Sequence, residues 1–195
     1  YVIILAGDHI YNMDYGEMLA EHVNNGADFS VGCIAIEAAK AAHQFGVMSV
    51  NENGRIIDFE EKPKDPKTIS GEDNKALVSM GIYVVSQKYL SSMLRDDSVS
   101  ERSNHDFGKD IIPEGLRRGD HFHAYMFRNP TNDDPPYWRD VGTVDSYYAA
   151  NMELLEPEPP LNLYDKAWPI ATYQRQLPPA FIKPGKDDSD IQSSI

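Results

Sequence analysis

The sequence predicts a layered α/β fold, on three observations. An unbroken apolar run covers residues 2–6 and ends at Gly7 and Asp8. Residues with helical apolar spacing follow at Tyr15, Met18, Leu19 and Val23, and a second apolar run, "ADFSVGCIAI", covers residues 27–36. A continuous apolar strand suits the middle of a parallel sheet covered on both faces, and strand, helix and strand in that order imply a right-handed crossover.

The elements follow in order. Asp14 is placed to cap the first helix and Gly26 to stop it. Residues 46–63, "GVMSVNENGRIIDFEEKP", alternate around Asn53-Gly54, which predicts a hairpin with a type I′ turn. Residues 63–76 are polar with two prolines and predict a loop. A strand is expected over residues 77–86, a helix over 87–95, a partly helical segment over 107–119 and a strand over 121–129. The segment "TVDSYYAANMELL", residues 143–155, predicts a helix capped by Thr143, with Asp145 favourable at the positive end of its dipole. Beyond residue 156 the texture becomes proline-rich ("EPEPP", then "LPPAFIKPG"), so residues 1–156 predict one domain and residues 157–195 a linker leading out of it.

A formal net charge of −13 argues against nucleic acid or an anionic membrane as the main partner, since both require a basic face. No apolar run approaches the roughly 20 residues that span a bilayer. The single cysteine, Cys33, lies in an apolar run and predicts a buried thiol, no intrachain disulfide and a reducing, cytoplasmic setting. The first residues carry no secretory-leader pattern. They open without Met inside an apolar run, so further sequence is expected upstream.

Several clusters can carry chemistry. Asp8 stands at the carboxyl end of the first strand, where open α/β sheets bind ligands; a carboxylate there either holds a hard cation such as Mg²⁺ or caps a turn. His9 fits a hydrogen-bonding support of that turn. In "FEEKPK", residues 59–64, Glu61 and Lys62 would face opposite sides of a strand, with Pro63 ending the ladder; Lys62 is either a point charge for a phosphate or ordinary surface charge. In "PPYWRDVGT", residues 135–143, Tyr137 and Trp138 can stack on a sugar or base and Asp140 can offer a second carboxylate, or the aromatics simply pack. Asp106 in "SNHDFGKD" is a hydrogen-bond partner or a helix cap. His121 and His123 share a strand face but have no third ligand at metal-site spacing. No serine nucleophile elbow, Walker loop or zinc-protease motif occurs.

The ordered set "LAGDHIY", "FGVM", "FEEKP", "SMGIYV", "HDFGKDIIP", "YWRDVGT", "WPI-x-TY" and "LPPA" resembles the glucose-1-phosphate adenylyltransferase (ADP-glucose pyrophosphorylase) family in its bacterial form. The resemblance implies a Rossmann-like nucleotidyltransferase with a mixed sheet flanked by helices. It also implies formation of ADP-glucose and pyrophosphate from ATP and glucose 1-phosphate for glycogen synthesis, with Mg²⁺. Asp8 and Asp140 match the two metal carboxylates, Asp8 being catalytic. Glu61, Lys62, Ser79, Tyr83, Asp106, Phe107 and Trp138 match the glucose 1-phosphate pocket, and Gly46 a backbone contact there. The family's glycine-rich ATP loop and its left-handed β-helix, part of the homotetramer and its allosteric site, are not in this sequence. The expectation is an internal fragment that does not turn over alone. Transfer to another sugar phosphate or from another nucleotide, and a non-catalytic regulatory subunit of the same fold, remain alternatives.

Overall fold

A computed structural model describes residues 1–129, 136–166, 168–170 and 176. The motifs "WPI-x-TY" and "LPPA", and most of the proposed linker, lie wholly or partly outside the described residues. By contacts the chain forms two compact units. The first comprises Tyr1–Gly7 with Met13–Arg128, and the second Asp8–Asn12 with Asn129–Ile195.

The first unit is a mixed sheet with helices packed against it. Its strands are β1 (Val2–Ile4), β3 (Phe29–Glu37), β4 (Gly46–Val50), β5 (Ile56–Glu61), β6 (Lys75–Val85) and β7 (Phe122–Met126). They lie in the order β5-β4-β6-β3-β7, with β1 also pairing to β6. Only β3 and β7 pair in parallel; the other ladders are antiparallel. β1 and β3 both run antiparallel to β6, so they are parallel to each other with β6 between them. The predicted crossover therefore joins strands that are not neighbours. β1 is also only half-buried, with Ile3 exposed, as is Leu5 just beyond it. An apolar run encodes a preference for burial, not the identity or direction of its partner.

The core is the face carrying Phe29, Val31, Cys33, Tyr83, Val85 and Phe122, where the rings of Phe29 and Phe122 stack at 5.0 Å. Cys33 is fully buried, as expected, and burial raises its thiol pKa. Helix α1 (Tyr15–Asn24) begins at Asp14, whose carboxylate accepts from Gly16 N at 2.7 Å. Its buried side chains are Met18 and His22, while the predicted Val23 is exposed. His22 is accommodated because its Nδ1 meets Ser30 Oγ at 2.8 Å, and desolvation holds its pKa low.

The β4–β5 hairpin forms with a different turn. Asn53 does not have positive φ whereas Gly54 does (72°), so the type I′ geometry is excluded. Asn51 Oδ1 accepts from both Asn53 N and Arg55 N at 3.0 Å, and this side-chain bracket selects the wider turn. Helices α2 (Ala38–Ala41) and α3 (Gln87–Ser98) follow β3 and β6, and a π-helical turn (Phe107–Ile111) runs into α4 (Ile112–Arg118), which ends at left-handed Gly119.

The second unit contains β2 (His9–Tyr11), β8 (Trp138–Asp140) and α5 (Val144–Glu153). Thr143 caps α5, accepting from Ser146 N at 3.1 Å while Ser146 Oγ accepts from Thr143 N, with Asp145 in the first turn.

Candidate active site

In the second unit, β2 and β8 pair antiparallel with His9 opposite Asp140, Ile10 opposite Arg139 and Tyr11 opposite Trp138. Val141 N donates to Asp8 O at 2.9 Å and extends the ladder by one rung. Two acids more than a hundred residues apart are thereby brought together: Asp8, His9 and Asp140 each offer a ligand atom within 4.8 Å of the others. Asp140 Oδ1 accepts from Gly142 N at 2.8 Å. Close approach here depends on Gly142, because an added Cβ would fall 3.0 Å from Asp140 Oδ1 and 3.2 Å from Asp8 Oδ2.

Asp8 is exposed and Asp140 partly so, and among the described residues neither is paired with Lys or Arg. The neighbouring Arg139 is committed to Glu153 at 3.0 Å, and its guanidinium lies 4.8 Å from the centroid of the Tyr137 ring. Two adjacent carboxylates without a cationic side chain repel each other, and a divalent cation between them relieves that repulsion. The donor set therefore fits a hard cation.

Trp138 and Tyr137 are buried, the former edge-on to His9 at 5.2 Å and the latter donating from its hydroxyl to Glu153 Oε2 at 2.9 Å. These contacts are those of the packing alternative, with the Arg139 guanidinium over the Tyr137 ring.

The first unit gathers Gly46, Glu61, Ser79, Tyr83, Asp106 and Phe107. Gly46 pairs with Glu61 across the β4–β5 ladder. An added Cβ at Gly46 would lie 2.8 Å from Glu61 Oε2, and one at Gly108 would collide with the same oxygen, so two glycines clear the space that the Glu61 carboxylate occupies. Half-burial raises the pKa of that carboxyl; the nearby Lys62 charge opposes the shift and Asp106 adds to it.

Ser79 and Tyr83 meet because of a bulge. Ser79 pairs with Cys33 and Ile82 with Gly32, so Met80 and Gly81 are extra residues, and Gly81 takes φ 66°. The irregularity places Tyr83 opposite Val31 and Ser79 opposite Cys33, two positions apart on one face instead of four. Burial raises the Tyr83 pKa, with the nearby Ser79 hydroxyl acting against the shift. Phe107 lies against Tyr83 with centroids 5.5 Å apart. Asp106 caps the π-turn, its Oδ1 accepting from Gly108 N at 2.8 Å and Lys109 N at 2.9 Å, as the local capping alternative expects.

Lys62 departs from the strand reading. β5 ends at Glu61, and Lys62 takes the left-handed conformation (φ 51°) with its N–H donating to Phe45 O at 3.2 Å. Strand alternation therefore does not decide where its side chain points. The chain needs this kink because buried Pro63 follows and cannot extend the ladder.

Sequence reasoning overlooked Gly108, Gly142 and the proximity of His9 to both acids. The glycines carry a signal in "DFGK" and "DVGT", each two residues after an aspartate, where a side chain can accept from the glycine N–H. His9 carries none, because its partner is a pairing register.

Comparison with known proteins adds the family. Residues 1–157 match the model of the nucleotidyl transferase family. The chain is 52% identical over 187 residues to "Glucose-1-phosphate adenylyltransferase 1" of Alkalilimnicola ehrlichii, covering 96% of this chain and 44% of that protein. It is 50% identical over 188 residues to a glucose-1-phosphate adenylyltransferase of Teredinibacter turnerae, with the same coverage. To "Glucose-1-phosphate adenylyltransferase 2" of Pseudoalteromonas atlantica it is 53% identical over 180 residues, 92% of this chain and 42% of that one. The chain thus spans less than half the length of the curated relatives it matches.

Proposed function

Because this chain belongs to the nucleotidyl transferase family, we propose that the full-length protein transfers the adenylyl group of ATP to glucose 1-phosphate, yielding ADP-glucose and pyrophosphate for glycogen synthesis. The observation that carries this reading is the convergence of Asp8 and Asp140 on the β2–β8 ladder. The names and identities of the relatives support the choice of substrates.

In the proposed reaction a phosphate oxygen of glucose 1-phosphate attacks the α-phosphorus of ATP. A new P–O bond forms there as the bond to the β-phosphate oxygen breaks and pyrophosphate departs with the electron pair. No covalent enzyme intermediate is required, so catalysis consists of positioning and charge neutralisation. Asp8 and Asp140 would hold Mg²⁺, which supplies neutralisation of the triphosphate. Lys62 would offset the sugar phosphate as a point charge. Glu61 would accept from sugar hydroxyls, with Ser79, Tyr83, Asp106 and Phe107 shaping that pocket and the Gly46 backbone contributing a contact. Trp138 would likewise contact glucose 1-phosphate.

The wider reading assigns residues 1–156 to a catalytic domain and residues 157–195 to a linker toward a β-helix domain in a cytoplasmic homotetramer. Buried, unpaired Cys33 is compatible with a reducing compartment, and among the described residues no helix is long and apolar enough to cross a membrane.

Pyrophosphate release by the full-length protein, compared across ATP, UTP and dTTP with glucose 1-phosphate, tests the proposal. The expected result is preference for ATP and a loss of about 10²–10³-fold in kcat for Asp8→Asn. Near-normal turnover by that variant overturns the assignment of Asp8.

A further inference from the structure

We propose that His9 Nε2 is a third protein ligand of the cation held by Asp8 and Asp140, giving a mixed nitrogen and oxygen donor set that favours Mn²⁺ over Mg²⁺. The inference deepens the cation site of the proposed function and rests on it.

Position is the first argument. His9 lies directly opposite Asp140 in the β2–β8 register, so the two side chains project from the same face of the ladder. Its Nε2 stands 3.7 Å from Asp8 Oδ1 and 3.9 Å from Asp140 Oδ2. Both separations are too long for hydrogen bonds. They leave space for an ion among the three donors, whose ligand atoms all lie within 4.8 Å of one another.

Hydrogen bonding among the described residues does not account for this ring. The other buried histidines each make a short hydrogen bond, His22 Nδ1 with Ser30 at 2.8 Å and His123 Nε2 with Glu21 at 2.6 Å, although His123 Nδ1 is also buried without a partner. His9, with its side chain only 10% exposed, makes no such bond among the described residues, and its Nδ1 is buried without a partner. Edge-on packing against Trp138 (interplanar angle 88°) fixes the ring, leaving Nε2 as the nitrogen directed at the carboxylates. A ring held by packing, with Nε2 facing two carboxylates beyond hydrogen-bond reach, is placed to act as a ligand of a cation between them.

The metal preference follows from donor chemistry. Mg²⁺ keeps oxygen ligands and gains little from imidazole, whereas Mn²⁺ and later divalent ions accept nitrogen readily. Coordination uses the Nε2 lone pair, with the ring proton on Nδ1.

The test is Mn²⁺ binding to the full-length protein without nucleotide or sugar phosphate, followed by electron paramagnetic resonance. Expected are saturable binding, displacement by Mg²⁺ only at an excess of about tenfold or more, and a ¹⁴N coupling on the bound ion in pulsed spectra. That coupling should change on ¹⁵N-histidine labelling of the wild type, a readout that needs no variant. In His9→Gln it should vanish, and Mn²⁺ affinity should fall at least about tenfold while Mg²⁺ affinity changes less. Absence of saturable Mn²⁺ binding, wild-type spectra without nitrogen coupling, or a coupling that survives in His9→Gln overturns the proposal. The two readings fail separately: nitrogen coupling without nucleotidyl transfer from any nucleotide sinks the function, and transfer abolished by Asp8→Asn without nitrogen coupling sinks the ligand role.

Discussion

The candidate sugar-phosphate cluster of the first unit is cut into the same sheet that forms its core, whereas the candidate cation ligands of the second unit stand on, or directly before, two paired strands of three residues each. In the first unit, binding residues and packing residues are the same or adjacent: Tyr83 belongs to the core cluster, and Gly46 touches Phe59. In the second unit the acids are positioned by a short ladder and the amide of Gly142, with their carboxylates open to solvent. Substitutions in the first cluster should therefore perturb folding and binding together, and those in the second should alter chemistry with little effect on stability.

The sharpest way to break this contrast is Asp140→Asn. It should lower kcat of the full-length protein by about 10²–10³-fold while leaving the unfolding midpoint within experimental scatter. A large loss of stability would show that the second cluster is structural. Lys62→Ala should come next, raising KM for glucose 1-phosphate by about 10–100-fold, the value of one charge-assisted contact, with kcat within a few-fold. A change confined to kcat would move Lys62 from binding to chemistry.

Gly46→Ala should cost about 1–3 kcal/mol in denaturant unfolding, because the new methyl collides with the Phe59 ring, a core aromatic with no room to retreat. Unchanged stability would mean that binding cluster and core are separable. The smallest effect concerns Glu61→Gln. Burial raises the Glu61 carboxyl above its unfolded value, so the folded state binds the extra proton and the ionised form weakens folding as pH climbs through the raised value. The variant should be slightly more stable than wild type at pH 7, lose that advantage as pH falls to the ordinary carboxylate range, and bind glucose 1-phosphate less tightly. Thermal melts across pH 4–8 beside KM measurements would expose a wrong sign.

Much of the first unit was legible because its signals are local. The cap at Asp14, the hairpin and the apolar β3 each follow from a few neighbouring residues, as does the Thr143 cap in the second unit. Local logic failed where a distant or lateral partner decided. β1 reads as a buried parallel strand but pairs antiparallel with β6, and Asn53-Gly54 reads as a type I′ turn until the Asn51 side chain imposes another geometry. Lys62 reads as a strand residue, yet the ladder ends one position earlier. The candidate residues were recognised as an ordered set of motifs, while the bulge that joins Ser79 to Tyr83 left no periodic trace.

By itself the sequence determined which residue types were available and the local elements that carry them: capped helices, an apolar β3, acids flanking glycines and a lysine ahead of a proline. Only tertiary structure decided which of these meet. The 4.8 Å gathering of Asp8, His9 and Asp140 exists because β2 and β8 pair in one register; a slip of one residue would turn His9 to the opposite face. Pairing between segments so far apart is selected by the whole chain's packing, since no interaction among near neighbours distinguishes one register from the next.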